Sequence, residues 1–386
     1  MNRYLYCSDC IEDGNHIWFS SNSHNGLYRV DKKKNKAELI LRFPGEDVLA
    51  KNLHNKVLKW GEQLIFVPCS AKEIAIYHYK SNIIKKLSLQ DMKGIGNDGL
   101  YKGMKFLSAD LYKNDVWFWG TGYPAVARLN LLTEELIYYK EWRKWIPLEA
   151  DRGAMFTNAV IREKNGYVPF FCEDAVLKIN LDTGSMEKIP VPFLGTGFYW
   201  VADDGVDLWF IETNSHSLVR WDPGTGLMKE IKLPYNGKSP ITPFQCPIIS
   251  REKIYLFPNG ICDVYVIDRK TNTVNKEEEL TELLNIEKEG TAGILEASLN
   301  LQILSDRYLR FICGKDLSWH IYDMHTGRDS ISYWEMDEED YKEIEKSYVR
   351  KKLGKDNFIT ENQNTSLSSF LNYLNEERFS DLCEEP

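Results

Sequence analysis

Trp18 to Asp31 reads WFSSNSHNGLYRVD, and much later Trp209 to Asp222 reads WFIETNSHSLVRWD. Both phrases open on Trp-Phe, place Arg two positions before a closing Asp, and set first and last residues 13 apart. The same interval separates Ile65 from His78, Trp117 from Asn130, Tyr255 from Asp268 and Arg310 from Asp323, and a shorter copy runs from Pro169 to Asn180. Seven copies with a mean period of about 49 residues are the signature of a repeat architecture.

Each unit reads as short strands between turns. In the fourth, Asn165-Gly166 gives a hairpin signal and Asp182-Thr183-Gly184 a second turn, with apolar runs Tyr167 to Phe171 and Val176 to Asn180 between them. The same turn chemistry recurs at Asp13-Gly14, Asn114-Asp115, Asp204-Gly205, Gly224-Thr225-Gly226 and Thr326-Gly327. Along the third strand Tyr28 and Val30, Ala127 and Leu129, Leu177 and Ile179, Val219 and Trp221 point one way, while Arg29, Arg128, Lys178 and Arg220 point the other. One four-stranded sheet cannot bury both its faces, whereas seven in a ring can. The expected fold is all-β: a seven-bladed β-propeller of four-stranded antiparallel blades over residues 1–334, opening on an innermost strand from Tyr4 to Cys10. An acidic, partly helical C-terminal tail over 335–386 follows. Six or eight blades fit the interval less well.

The stretch LWFIETNSHSLVRWDPGTGLMKEIKLP, Leu208 to Pro234, resembles the repeat of the seven-bladed propellers that include streptogramin lyases. The likeness lies in the Trp-Phe strand, the Glu-containing loop, the Arg-x-Asp strand, the Gly turn and the closing Leu-Pro, and it extends as a pattern over residues 4–334. It implies the fold. The enzymes of that family carry a metal-supporting Glu-x-His pair, and no Glu-x-His occurs in this chain, so lyase chemistry is not implied. Function has to be read from the site.

Of 386 residues 43% are hydrophobic and 13% aromatic, enough for a large core, and aromatic enrichment favours strands. The net charge is −9, and from Glu335 onward 14 acidic residues face 7 basic ones, which leaves the body nearly neutral. That balance excludes a nucleic-acid binder driven by counterion release. No apolar run suits a signal peptide or a membrane span. Cys69, Cys172, Cys262 and Cys313 lie singly in or beside apolar runs and read as buried free thiols, so a cytoplasmic location is expected. Phosphate-binding loops, nucleophile elbows and zinc-helix motifs are absent, and neither a cofactor nor a metal is expected.

In this topology the loops between second and third strands share one rim with the connections between blades. Those connections are long, whereas the turns of the opposite rim are tight, which marks the loop-rich rim as a binding face. His24, Trp119, Tyr123, Arg152, Glu173, Trp200, Glu212, His216 and Asp263 are the candidate binding residues. Aromatic plates with carboxylates and amides suit a protein, peptide or glycan ligand. The expected function is a ligand-binding or protein-interaction module; the alternative is a hydrolase or lyase acting on a glycan or peptide at the channel of the same face.

Sharper chemistry has specific candidates. His24 and His216, each preceded by Asn-Ser, could pair as metal ligands or acid–base groups. Glu173, Glu212, Asp263 and Asp316 could meet as paired carboxylates across the channel. Cys7-Ser8-Asp9-Cys10 is a C-x-x-C whose sulfurs, in an extended strand, would face opposite ways. Arg29, Arg128 and Arg220 are expected to tie blades together through carboxylates or backbone. A helix is expected within Asn275 to Gly290, and two more in the tail, around Tyr341 to Tyr348 and Leu367 to Leu374, either packing on the ring or docking on another protein.

Overall fold

The computed structural model describes residues 3–91, 103–145, 156–213, 216–234, 244–258, 263–284 and 298–355. Within them are seven four-stranded antiparallel sheets, each of consecutive strands in chain order. The blades span Ile11–Leu41, His54–Ser88, Phe106–Tyr139, Val160–Pro190, Phe198–Lys232, Ile248–Lys276 and Ser298–Ser332. First strands of neighbouring blades touch, which puts them around the axis, and the exposed fourth strands lie outermost.

The interval that repeats in the sequence is a strand register. Trp18 pairs with Arg29, Ile65 with Ile76, Trp117 with Arg128, Trp209 with Arg220, Tyr255 with Val266 and Arg310 with Ile321. In blade four the equivalent pair is Tyr167 with Lys178, so the anchor is Tyr167 and not Pro169, and the interval to Asn180 is the same 13. The misplacement follows from Asn165-Gly166, which is strand rather than turn; the hairpin turns at Glu163-Lys164, with Glu163 at φ +52°.

The last residue of each copy caps the turn into the fourth strand. Asp31, Asn130, Asn180, Asp222, Asp268 and Asp323 accept backbone N–H groups two or three residues on, and His78 accepts that of Ser81. Four residues past each cap the chain takes a left-handed conformation, at Asn35, Asn82, Glu134, Gly184, Gly226, Asn272 and Gly327, with φ between +49° and +74°. A polar cap followed by a left-handed residue, often Gly or Asn, is what this turn requires.

Seven apolar clusters lie one at each blade junction. Anchors Trp18, Trp117 and Trp209 face the following blade, and their cross-strand arginines lie over the indoles at 5.4, 5.8 and 5.5 Å. Arg29 and Arg220 pair with Glu38 and Asp207 of their own blades. The hydrogen-bonded ties between blades come from other residues, while these arginines cover the indoles of their own blades. Arg162 binds Asp203 at 2.9 Å, Arg269 binds Asp204 at 2.6 Å and Lys59 binds Asp13 at 2.6 Å. Gly166 has a packing role: a Cβ there would lie 3.0 Å from both Trp119 and Ile179. Gly166→Val is expected to cost about 1–3 kcal/mol by overpacking, read as a lower urea midpoint; an unchanged midpoint would show that Trp119 is not held in place there.

Residues 4–10 are not the first strand of blade one, which is Ile11–Asp13. They form a seam: Leu5 donates to the Trp334 carbonyl at 2.7 Å, Met336 donates to the Arg3 carbonyl at 3.0 Å, and Leu5, Cys7 and Cys10 enter the core between blades seven and one. Helix α1 (Glu278–Leu284) buries Leu280 and Leu284 between blades six and seven. Helix α2 (Glu338–Lys355) is capped by Asp337, which accepts the Asp340 N–H at 2.8 Å. It packs back on the ring: Ile344 is buried beside blade one, and Asp340 takes the Tyr28 hydroxyl and the Arg42 guanidinium. The second tail segment, Leu367 to Leu374, lies outside the described residues.

Candidate binding site in the central channel

Each first strand runs from the loop-rich rim into the channel, so residues at equal distance from the anchors form a layer. The partners of the anchors are Ile11, Leu58, Asp110, Val160, Ala202, Ile248 and Gln302. Two positions nearer the rim stand Asp9, Lys56, Ser108, Asn158, Trp200, Cys246 and Asn300. Six of the seven are polar or ionisable, whereas the clusters between blades are built of apolar and aromatic side chains.

The groups in this layer and the one below interlock. Asp9 accepts the Val57 N–H at 3.0 Å and the Gln302 amide at 2.9 Å, and it lies 3.8 Å from the Lys56 ammonium. Asp110 accepts the Trp119 indole N–H at 2.7 Å. Asn158 donates to the Val201 carbonyl at 2.7 Å and lies 3.6 Å from the Cys246 sulfur. The Lys56 side chain keeps 36% of its surface accessible while protein surrounds it, as expected of a cation facing channel water.

Electrostatics assign each group a state. Asp9 raises the Lys56 ammonium above the usual lysine value, against the opposing effect of burial, with Asp110 adding to the rise. Burial raises Asp110 above the carboxylate range, although the Trp119 hydrogen bond and Lys56 oppose it. Burial pushes the Cys246 thiol up to about 12, so it is protonated and is not a nucleophile. The layer thus offers a fixed cation, amide donors and acceptors, and an indole.

The residues expected on the rim divide. Trp200 belongs to the channel layer. His24 is enclosed in blade one, its ring nitrogens 2.8 Å from the Ser23 hydroxyl and 2.7 Å from the Tyr28 hydroxyl, whereas His216 is exposed on blade five near Glu212. The two histidines do not come together. Trp119 is fully buried against blade four, because it shares its strand face with the anchor Trp117. Tyr123 is buried against Phe106 and gives its hydroxyl to the Gln90 carbonyl at 2.7 Å. Both are packing residues rather than binding plates. Arg152 lies outside the described residues. Glu173 pairs with Lys188, Asp263 with Lys276 at 3.1 Å, and Asp316 accepts the Tyr333 hydroxyl at 3.2 Å. Glu212 is buried, which raises it above the usual glutamate value, with Asp174 adding to the rise and His216 opposing it.

Of the single cysteines expected to be buried, Cys69 and Cys313 are, Cys172 is exposed and Cys262 lies outside the described residues. Cys7 and Cys10 do not face opposite ways. A bend at Ser8 turns both sulfurs onto Asn300, at 3.2 and 3.8 Å. Burial raises the Cys7 thiol; in Cys10 the hydrogen bond with Cys7 and the charge of Arg310 outweigh burial and lower it.

Sequence reasoning missed most of the channel layer, although a signal was present. Asp9, Lys56, Ser108, Asn158, Trp200 and Cys246 each stand nine residues before their anchor. In blade seven a register shift between Leu299 and Gln302, with Asn300 at φ +50°, moves the equivalent by one.

No protein-family model and no curated protein matches the chain. Solved structures share its fold. Virginiamycin B lyase from Staphylococcus aureus, a catalytically inactive form with quinupristin, matches with a TM-score of 0.59 at 13% identity over 82% of this chain and 94% of that one. BamB from Moraxella catarrhalis matches with a TM-score of 0.53 at 13% identity over 81% and 83%. A chain of the mitotic checkpoint complex matches with a TM-score of 0.52 at 8% identity over 87% and 88%. At these identities the likeness is one of fold.

Proposed function

We propose that the protein is a binding module that takes a polar peptide segment of a partner protein at the loop-rich mouth of its central channel. The observation that carries this reading is the layer of Asp9, Lys56, Asn158, Trp200 and Cys246, polar groups from different blades gathered around one cation, Lys56. Lys56 can meet a peptide carboxylate or carbonyl, and Trp200, which packs on the junction between blades five and six and is only partly buried, can offer the remaining part of its ring. The presence of related folds in BamB and in the mitotic checkpoint complex supports a protein partner. The reading belongs to the cytoplasm; the free thiols among the described cysteines, Cys7 and Cys10 side by side included, support a reducing compartment.

The test is selection from a displayed random-peptide library on the full chain, with a glycan array in parallel. Selected peptides are expected to lose at least tenfold in affinity for Lys56→Met and Trp200→Ala, and to keep it for Lys164→Ala on the opposite rim. Peptides indifferent to both channel substitutions, or binding of glycans alone, would overturn the reading.

A further inference from the structure

We propose that Cys313, Asp316 and His320 form a zinc site on the loop-rich rim of blade seven, with three protein ligands and a fourth coordination position left for water. Cys313 ends the second strand, His320 lies in the third, and Asp316 sits in the loop between them. The loop is tightly wound: Cys313 donates its N–H to the Ser318 carbonyl and Leu317 donates to the Cys313 carbonyl, both at 2.9 Å, with Leu317 at φ +61°. This winding brings one sulfur, one carboxylate oxygen and one imidazole nitrogen within 4.8 Å of one another.

The surroundings fit a metal site. Asp329 lies 2.7 Å from His320 Nδ1; a carboxylate in that place fixes the tautomer and presents Nε2 to the loop, as second partners of metal-binding histidines do. The imidazole lies flat on Phe311, at 4.9 Å and 3°, so it cannot turn away. Cys313 and His320 are each 4% exposed, whereas Asp316 is exposed and supplies the way in. The Ser318 hydroxyl lies 2.6 Å from His320 Nε2 and against the Asp316 carboxylate, and its one proton can serve only one of them, so an ion binding His320 and Asp316 would displace this contact. Ser318, His320 and Asp329 are also linked like a hydrolytic triad, but Ser318 is 1% exposed and no substrate can reach its oxygen. One thiolate, one imidazole and one carboxylate form a borderline-soft set that selects zinc over magnesium or calcium, and three protein ligands leave the fourth position for water. Binding requires the thiol to lose its proton, so affinity falls on acidification.

The full chain, freed of metal and carrying no chelating tag, is titrated with Co²⁺ alone. One equivalent is expected to bind with a thiolate-to-cobalt charge-transfer band, and Zn²⁺ is expected to displace it. Cys313→Ser should abolish the band, Asp329→Asn should weaken binding about 10- to 100-fold, and Cys10→Ser and Cys172→Ser should leave the band intact. A folded wild-type chain without the band, or a band that survives Cys313→Ser, would overturn the proposal. If Cys313→Ser does not fold, alkylation of the wild type decides: Zn²⁺ must protect Cys313 while Cys172 reacts, and equal labelling with and without Zn²⁺ would overturn it.

Discussion

Between pH 7.5 and pH 5 the protein is expected to lose about 4 kcal/mol of stability through two buried histidines. Burial pushes His24 and His54 down to about 3, with Arg42 adding to the effect on His24. In the unfolded chain both titrate near 6.5. Below that value the unfolded state takes up protons that the folded state refuses, so stability falls as pH falls, until the folded groups titrate near 3. At pH 5 each histidine contributes about 2 kcal/mol to this loss. Carboxylates held below their usual range, such as Asp204 and Asp323, add losses only further into acid, and carboxyls that burial holds above it, such as Asp110 and Glu212, act with the opposite sign, so the loss above pH 5 is driven by the histidines.

The two histidines are replaced differently. His54 packs tilted against Phe43 and edge-on against Phe66, its Nδ1 lies 3.2 Å from the Ser20 hydroxyl, and its Nε2 has no partner among the described residues; His54→Phe loses the Ser20 contact but is expected to fold and to be more stable than wild type at pH 5. His24→Gln keeps a polar group between Ser23 and Tyr28. Urea midpoints should fall far less between pH 7.5 and pH 5 in the double variant than in wild type. A wild-type slope retained there would place the acid sensitivity elsewhere.

The ring was legible because its signal is local. Anchor, cap and left-handed residue stand at fixed offsets on one strand pair and its turn, and a register cannot slip without turning Trp18 or Trp209 to the wrong face. Blade four was misaligned where two local cues competed. Asn165-Gly166 has the form of a hairpin turn, yet the glycine is there because Trp119 of blade three lies over it, a fact of tertiary packing that no window around residue 166 contains.

The channel layer was harder to read for the opposite reason. Asp9, Lys56, Asn158 and Cys246 look unrelated in sequence and become neighbours only when the ring closes. Loop residues such as Trp119 and Tyr123, chosen as exposed aromatics, are instead fully employed in packing. Aromatic content near a loop does not separate a binding plate from a junction filler, because both occupy the end of a second strand.

Trp319→Ala is expected to cost about 3–5 kcal/mol and to do so in a distinctive way. Blades one and seven are each made wholly of consecutive strands, so no shared strand holds the ring shut. The seam depends on the short pairing of residues 3–5 with 334–336 and on Trp319, which stacks on Trp334 at 3.6 Å and donates its indole N–H to the Leu5 carbonyl at 3.2 Å. Trp142, buried between blades three and four, is the control: its removal opens a similar cavity at a junction that the chain itself bridges. Both variants should lower the urea midpoint. Only Trp319→Ala should also lower the slope of the transition, because a seam that parts early lets end blades unravel before the rest, as in a linear repeat array. Equal slopes in the two variants would mean that the seam is held by backbone pairing alone, with Trp319 acting as one more core residue.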